Sequence, residues 1–184
     1  YDIVPDIMTL AKGIASSYVP FGAVAVSAEI NAPFEAGETH FIHGFTNGGH
    51  PLGCAAGSEL IDIIRDENLL ENCRKQSEVL FSYKEQLIAH PTVRDVRGWG
   101  LMMVLELIKD KESLDFFDSS LQAEKLYSAI TLKHGLVMYG SLYGPRRQAA
   151  FKRGLPSWIS PPLTISSEEM HDLVGRLDSA LSEW

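Results

Sequence analysis

The stretch Pro5-Asp6-Ile7-Met8-Thr9-Leu10-Ala11-Lys12-Gly13 sets the fold class. Ile7 to Leu10 are β-compatible and the run stops at Ala11-Lys12-Gly13, so a short strand delivers a lysine to a glycine turn. A second strand is predicted over Phe21 to Ser27, and the small, turn-prone residues Gly13, Ser16, Ser17, Pro20 and Gly22 separate the two. The neighbours leave Lys12 two readings. Most lysines at such positions are solvated loop residues. A lysine leaving a buried strand is instead partly desolvated, which favours the free amine, a nucleophile toward carbonyl carbon.

Moving outward, residues 32–49 hold four glycines and no helical period, which predicts a long loop. It runs into Phe45-Thr46-Asn47-Gly48-Gly49-His50-Pro51, where Pro51 suits the first position of a helix. That helix is expected to bury Leu52, Ala55, Ala56, Leu60, Ile63 and Ile64. Its start is either an ordinary helix N-terminus or an anion site, with glycines that allow close approach and the Thr46 hydroxyl as a further donor. Asn68 with Glu71 marks a second helix, with Leu69, Cys73, Leu80, Tyr83 and Leu87 on one face, ending at His90-Pro91. Val93 to Gly100 reads as a turn and Leu101 to Ile108 as a strand. A helix follows over Leu121 to Lys133, then a short strand over Leu136 to Tyr139, and a basic loop over Gly140 to Ser157. Ser166-x-x-Glu169 is a capping box, and Met170, Leu173, Val174, Leu177 and Leu181 fall at helical spacing behind it. The pattern is α/β, divided near Pro91 into 1–91, the end of a larger layer with a helical link, and 92–184, a small α+β unit.

The 184 residues carry 16 Lys and Arg against 24 Asp and Glu, a net charge of -8 that opposes nucleic acid and anionic membrane surfaces. No apolar run approaches the ~18 residues of a membrane span. Cys54 and Cys73, the only 2 cysteines, lie outside any CxxC or paired-histidine pattern, so no metal site or disulfide framework is expected and a reducing, cytoplasmic compartment fits. The opening at Tyr1 without Met is read as a fragment. His50, His90 and His134 have no partner spacing and read as cap or surface residues, and Cys54 as a packed thiol.

Taken together, the Lys12 segment, Tyr18-Val19-Pro20-Phe21-Gly22-Ala23, Thr46 to Ala56, Asp95-Val96-Arg97-Gly98-Trp99-Gly100-Leu101-Met102 and Pro161-Pro162-Leu163-Thr164-Ile165 resemble the class III aminotransferases, in that family's order and over nearly the whole chain. The resemblance implies a pyridoxal-phosphate enzyme of fold type I, represented by the end of its large domain and its C-terminal small domain. It implies that Lys12 is the lysine bonded to pyridoxal 5'-phosphate and the proton carrier. It also implies that Thr46 binds the cofactor phosphate of the neighbouring subunit in a homodimer or higher homo-oligomer. A hydrogen bond to such a charged group contributes about 1.5–3 kcal/mol. Arg97 is expected to hold the turn into the Leu101 strand. The family's pyridine-binding aspartate, stacking aromatic and first phosphate loop fall upstream of Tyr1.

Substrate choice departs from part of the family. Members that use 2-oxoglutarate place an arginine three residues before the Pro-Pro pair, where this chain has Trp158. The position matching the mobile arginine of pyruvate-dependent members is Tyr139. The basic loop offers Arg146, Arg147 and Arg153 as bidentate carboxylate binders, or as a solvated loop balancing an acidic surface. The implied activity is transfer of an amino group from an ω-amino acid or amine donor to an oxo-acid acceptor, pyruvate. The alternatives are a related aminomutase or decarboxylase using the same Lys12, and a non-catalytic fragment that pairs with a missing N-terminal half.

Overall fold

A computed structural model of the protein describes residues 3–117, 120–138 and 154–184, divided between two compact units, Tyr1–Asn68 and Leu69–Trp184. In the first unit, β1 (Ile7–Ala11) and β2 (Gly22–Val26) pair antiparallel from Ile7 opposite Val26 to Ala11 opposite Gly22. A single 3₁₀ turn, Lys12–Ala15, leaves the end of β1. The expected 32–49 loop is shorter than predicted, because α1 (Ala28–Glu35) takes its first residues. Ser27 caps this helix by accepting from the Ile30 amide at 3.4 Å, and Asn31 Nδ2 bonds Glu35 Oε1 at 2.7 Å. Eight residues with Pro33 inside are too short and too interrupted to show a helical period.

The helix opened by Pro51 forms as α2 (Pro51–Asp66); Ala56, Leu60, Ile63 and Ile64 lie half-buried on its expected inward face, but Leu52 and Ala55 are exposed. Gly53 and Gly57 are its buried positions, while Leu52 and Ile61 are exposed. The reason is the Phe21 ring. A Cβ on Gly53 would lie 2.8 Å from Phe21 Cδ2, and one on Gly57 would lie 2.7 Å from Phe21 Cε1, so the ring occupies the space that larger residues would fill.

In the second unit, β3 (Val93–Trp99), β4 (Met102–Leu107) and β5 (Leu155–Ile159) form an antiparallel sheet in the order β3-β4-β5. Its inner face, with Val93, Val96, Met103, Leu105, Leu107, Leu155 and Ile159, packs into one core with Leu80, Leu87, Tyr127, Met170, Val174 and Leu177. These come from α3 (Leu69–Ser82), α4 (Lys84–Ala89), α5 (Ser120–Lys133) and α6 (Ser167–Glu183). Each such buried aliphatic contributes about 1.5–3 kcal/mol. The compact units therefore part at Asn68–Leu69, whereas the sequence division near Pro91 sets α3 and α4 apart from the sheet whose core Leu80 and Leu87 share.

Two segments expected to be irregular are strands. Val93–Trp99 reads as a turn because Gly98 and Gly100 punctuate it, yet only Gly100, at φ +59°, turns the chain. Gly98 serves close approach instead, since a Cβ there would sit 2.0 Å from the Met102 carbonyl oxygen. Leu155–Ile159 contains Pro156, which β5 tolerates because, among the described residues, it pairs with β4 alone. Leu136 to Met138 are not a strand, and Tyr139 lies outside the described residues. The capping box forms as expected: Ser166 Oγ accepts from the Glu169 amide at 3.2 Å and Glu169 Oε2 from the Ser166 amide at 2.8 Å.

Candidate active site

Lys12 follows the last pair of the β1–β2 ladder and takes φ +54°, in the left-handed region. Ser16 and Ser17, at φ +46° and +62°, share it. A side-chain-bearing residue pays about 1–2 kcal/mol for that conformation, so three within six positions need an anchor. Part of it is local: the Ser16 amide donates to Gly13 O at 3.2 Å and the Tyr18 amide to Ala15 O at 3.0 Å. The rest is packing, because Ala15 is 2% exposed and a Cβ on Gly57 would meet Ile14 O at 3.5 Å. Lys12 itself is exposed, as is all of β1 except half-buried Leu10, so the desolvation expected of a buried strand is not supplied by this chain.

Thr46 is exposed and begins a turn in which the Gly48 amide donates to Phe45 O at 2.9 Å and Gly49 adopts φ +64°. That turn feeds the N-terminus of α2, where His50 makes no side-chain cap. Thr46, the Gly48-Gly49 backbone and the first amides of α2 follow one another along the chain, and unpaired helix N-terminal amides are the kind of donor that takes a phosphate.

Other candidates fare differently. Arg146, Arg147 and Arg153 lie outside the described residues. Trp158 stands on β5 opposite Val104, with its Nε1 buried and without a hydrogen-bond partner among the described residues. Arg97 does not hold the turn but a cross-strand ion cluster. Its Nη1 is 2.6 Å from Asp95 Oδ2 and 3.2 Å from Glu106 Oε2, and Glu106 also binds Arg94 at 3.3 Å and the Gly154 amide at 3.1 Å. The hydrogen bond that Arg97 donates to Asp95 leads the effects that push its guanidinium further toward its charged form. His90 and His134 have partners the sequence hid, Asp178 at 2.8 Å and Glu183 at 3.0 Å. Cys54 is exposed rather than packed. Among the described residues no group of three His, Cys, Asp or Glu could hold a metal ion, and no helix is long and apolar enough to cross a membrane.

A family description, Aminotransferase class-III, matches residues 1–181. The chain belongs to the class III aminotransferases. It is 39% identical over 183 residues to a probable aminotransferase of Mycobacterium tuberculosis, covering 98% of this chain and 37% of that protein. Among solved structures it is similar to an (S)-enantioselective omega-transaminase from Thermomicrobium roseum, with TM-score 0.81, 36% identity, and coverage of 100% of this chain and 38% of that one. It is also similar to the PMP-bound form of an aminotransferase from Vibrio fluvialis, with TM-score 0.79, 29% identity, and coverage of 100% and 38%. The chain thus spans little more than a third of the length of the relatives it matches.

As a class III aminotransferase segment, the chain has the α/β fold expected of fold type I. Lys12 and Thr46 fall on different elements of one compact unit, the strand-end turn and the turn before α2. Reading the sequence missed Phe21, Gly53 and Gly57 as a group. The signal was present as Gly-x-x-x-Gly at 53 and 57, but a pair of small residues on a helix does not say which ring fills it.

Proposed function

We propose that the protein to which this chain belongs is a pyridoxal-phosphate transaminase that moves an amino group from an ω-amino acid or amine to an oxo acid, with pyruvate as acceptor. The observation that carries the reading is Lys12 held at φ +54° at the end of β1, a costly conformation on a residue with a primary amine. The donor set fits the cofactor: an amine for its aldehyde, and the Thr46 hydroxyl with glycine and helix amides for its phosphate. When bound, the cofactor supplies an electron sink for the carbanion formed at the substrate carbon. Lys12 Nζ would act as the base that takes the proton from the carbon bearing the amino group. Thr46 orients the phosphate across a dimer interface.

Trp158 supports pyruvate over 2-oxoglutarate. Its single indole N–H carries no charge, so it cannot pair a second carboxylate as an arginine fork does. The carboxylate is assigned to Arg146, Arg147 or Arg153. Two free cysteines fit a cytoplasmic setting. Borohydride reduction of the cofactor-loaded, full-length protein followed by peptide mapping tests the reading. Label on Lys12 is expected; label on Lys109, Lys111 or Lys152 overturns it.

A further inference from the structure

The Lys12 turn is seated on α2 through one aromatic ring. The Cδ2 edge of Phe21 faces Gly53 and the Cε1 edge faces Gly57, so the ring lies across a single turn of the helix. Both glycine sites are closed to a Cβ, at 2.8 and 2.7 Å from the ring, and the Gly57 site is also bounded by Ile14 O at 3.5 Å. Ile14 and the buried Ala15 belong to the 3₁₀ turn that Lys12 begins. The same patch of α2 therefore carries both the ring that precedes β2 and the backbone of the lysine turn. Gly22, which follows Phe21, pairs with Ala11, which precedes Lys12. Seating the ring fixes both ends of the strained segment.

We propose that Phe21, Gly53 and Gly57 form a positioning lock for the Lys12 amine: the ring in its glycine seat holds the 12–17 turn, with Lys12, Ser16 and Ser17 left-handed, in the arrangement that aims the lysine. The proposal rests on the reading of Lys12 as the reactive lysine. Phe21 and the two glycines are positioning residues, since they act through the turn. The lock explains why a helix opening with Pro51 carries two glycines in its interior, where alanine is the better helix former. It also explains how three left-handed residues persist without local side-chain hydrogen bonds at the turn's entry, where Ala11 makes none.

The test compares Gly57→Ala, Phe21→Leu and the double variant in the full-length protein. In the cofactor-free form, amide hydrogen exchange of residues 13–17 is read against the β1–β2 ladder as internal reference. Each single variant is expected to speed exchange in the turn about tenfold, and the double variant to recover much of that, because the smaller side chain makes room for the new methyl. In the loaded form, the pH midpoint of the visible absorbance band is expected to move and kcat to fall, with the amine KM little changed. Unchanged exchange in both single variants, or a double variant no better than the worse single, overturns the lock. Faster exchange with an unmoved pH midpoint and kcat overturns its link to the lysine. Failure of the underlying reading shows separately, as a borohydride label away from Lys12 in the unsubstituted protein.

Discussion

His90 Nε2 lies 2.8 Å from Asp178 Oδ1 and joins the end of α4 to the C-terminal half of α6. It is one of several ties on that helix: Tyr83 Oη meets His171 Nδ1 at 2.6 Å, and Glu183 takes Lys133 at 2.7 Å and His134 at 3.0 Å. The hydrogen bond from His90 holds the Asp178 carboxyl below its ordinary 3.8, and those from Lys133 and His134 hold Glu183 below 4.5.

The first prediction follows from the sign of those shifts. A carboxylate whose pKa is depressed on folding contributes stability that is full above its unfolded value and is lost as pH falls through the folded one. The second unit should therefore weaken below about pH 4, and Asp178→Asn should flatten that acid limb while costing about 1 kcal/mol at neutral pH. Urea midpoints at neutral pH and at pH 3 check it; an acid limb of unchanged slope in the variant would count against the tie.

A second prediction concerns the buried pair Tyr127 and Ser157. Ser157 Oγ donates to Tyr127 Oη at 2.9 Å, and Trp184 packs edge-on against the ring at 5.2 Å between centroids. Burial pushes the phenol up to about 12, against the smaller opposing effect of the Ser157 bond. Stability from this group is full below the unfolded value near 10 and falls as pH rises toward 12. Tyr127→Phe leaves a buried hydroxyl unpaired and should cost about 1–3 kcal/mol, whereas Tyr127→Phe with Ser157→Ala should recover part of it. Chemical denaturation of the unsubstituted protein, Tyr127→Phe, Ser157→Ala and the double variant gives the coupling, and additive losses would show the bond to be worth nothing.

How far the sequence could be read depends on where each element takes its information. β1, α2, α5 and α6 declare themselves through strand composition, Pro51, helical period and the Ser166 box, all local signals. β3 and β5 do not, because the roles of Gly98 and Pro156 are settled by β4: its Met102 carbonyl forbids a Cβ at 98, and among the described residues β5 pairs with β4 alone. Only the start of α2 departs from its expected face, with Leu52 and Ala55 exposed and Gly53 and Gly57 buried, since hydrophobicity ranks leucine above glycine but the Phe21 ring selects by space. Lys12 and Thr46 enter the proposed site through the family resemblance, whereas the left-handed backbone at Lys12 and the Phe21 ring against Gly53 and Gly57 are products of tertiary packing.

For substrate recognition, the carboxylate of the oxo acid should depend on the basic loop rather than on Trp158. Replacing Arg146, Arg147 and Arg153 singly by Ala should raise the oxo-acid KM about tenfold or more for at least one of them, the scale of a lost charge-assisted pair, with smaller changes for the amine donor. Steady-state kinetics with both substrates varied decide the matter. Unchanged oxo-acid kinetics in all three would move carboxylate binding to the part of the protein outside this chain.

The last prediction concerns assembly. If Thr46 completes the site of a neighbouring subunit, each site draws its lysine and its threonine from different chains. Gly53 and Gly57 are not free to bring two subunit backbones together, because they already seat Phe21 within the chain. Exposed Phe41, Ile42, Phe45 and Leu52, flanking Thr46 on both sides, are the surface that an interface would cover. Mixing full-length Lys12→Ala subunits with full-length Thr46→Val subunits separates the two arrangements. In a mixed two-fold dimer with shared sites, one site carries both defects and the other neither. Half of the dimers are mixed after statistical exchange and half of their sites are intact, so activity should recover to about a quarter of that of the unsubstituted protein. If Thr46 serves its own chain, every site in the mixture carries one defect, and activity stays at the average of the two parents.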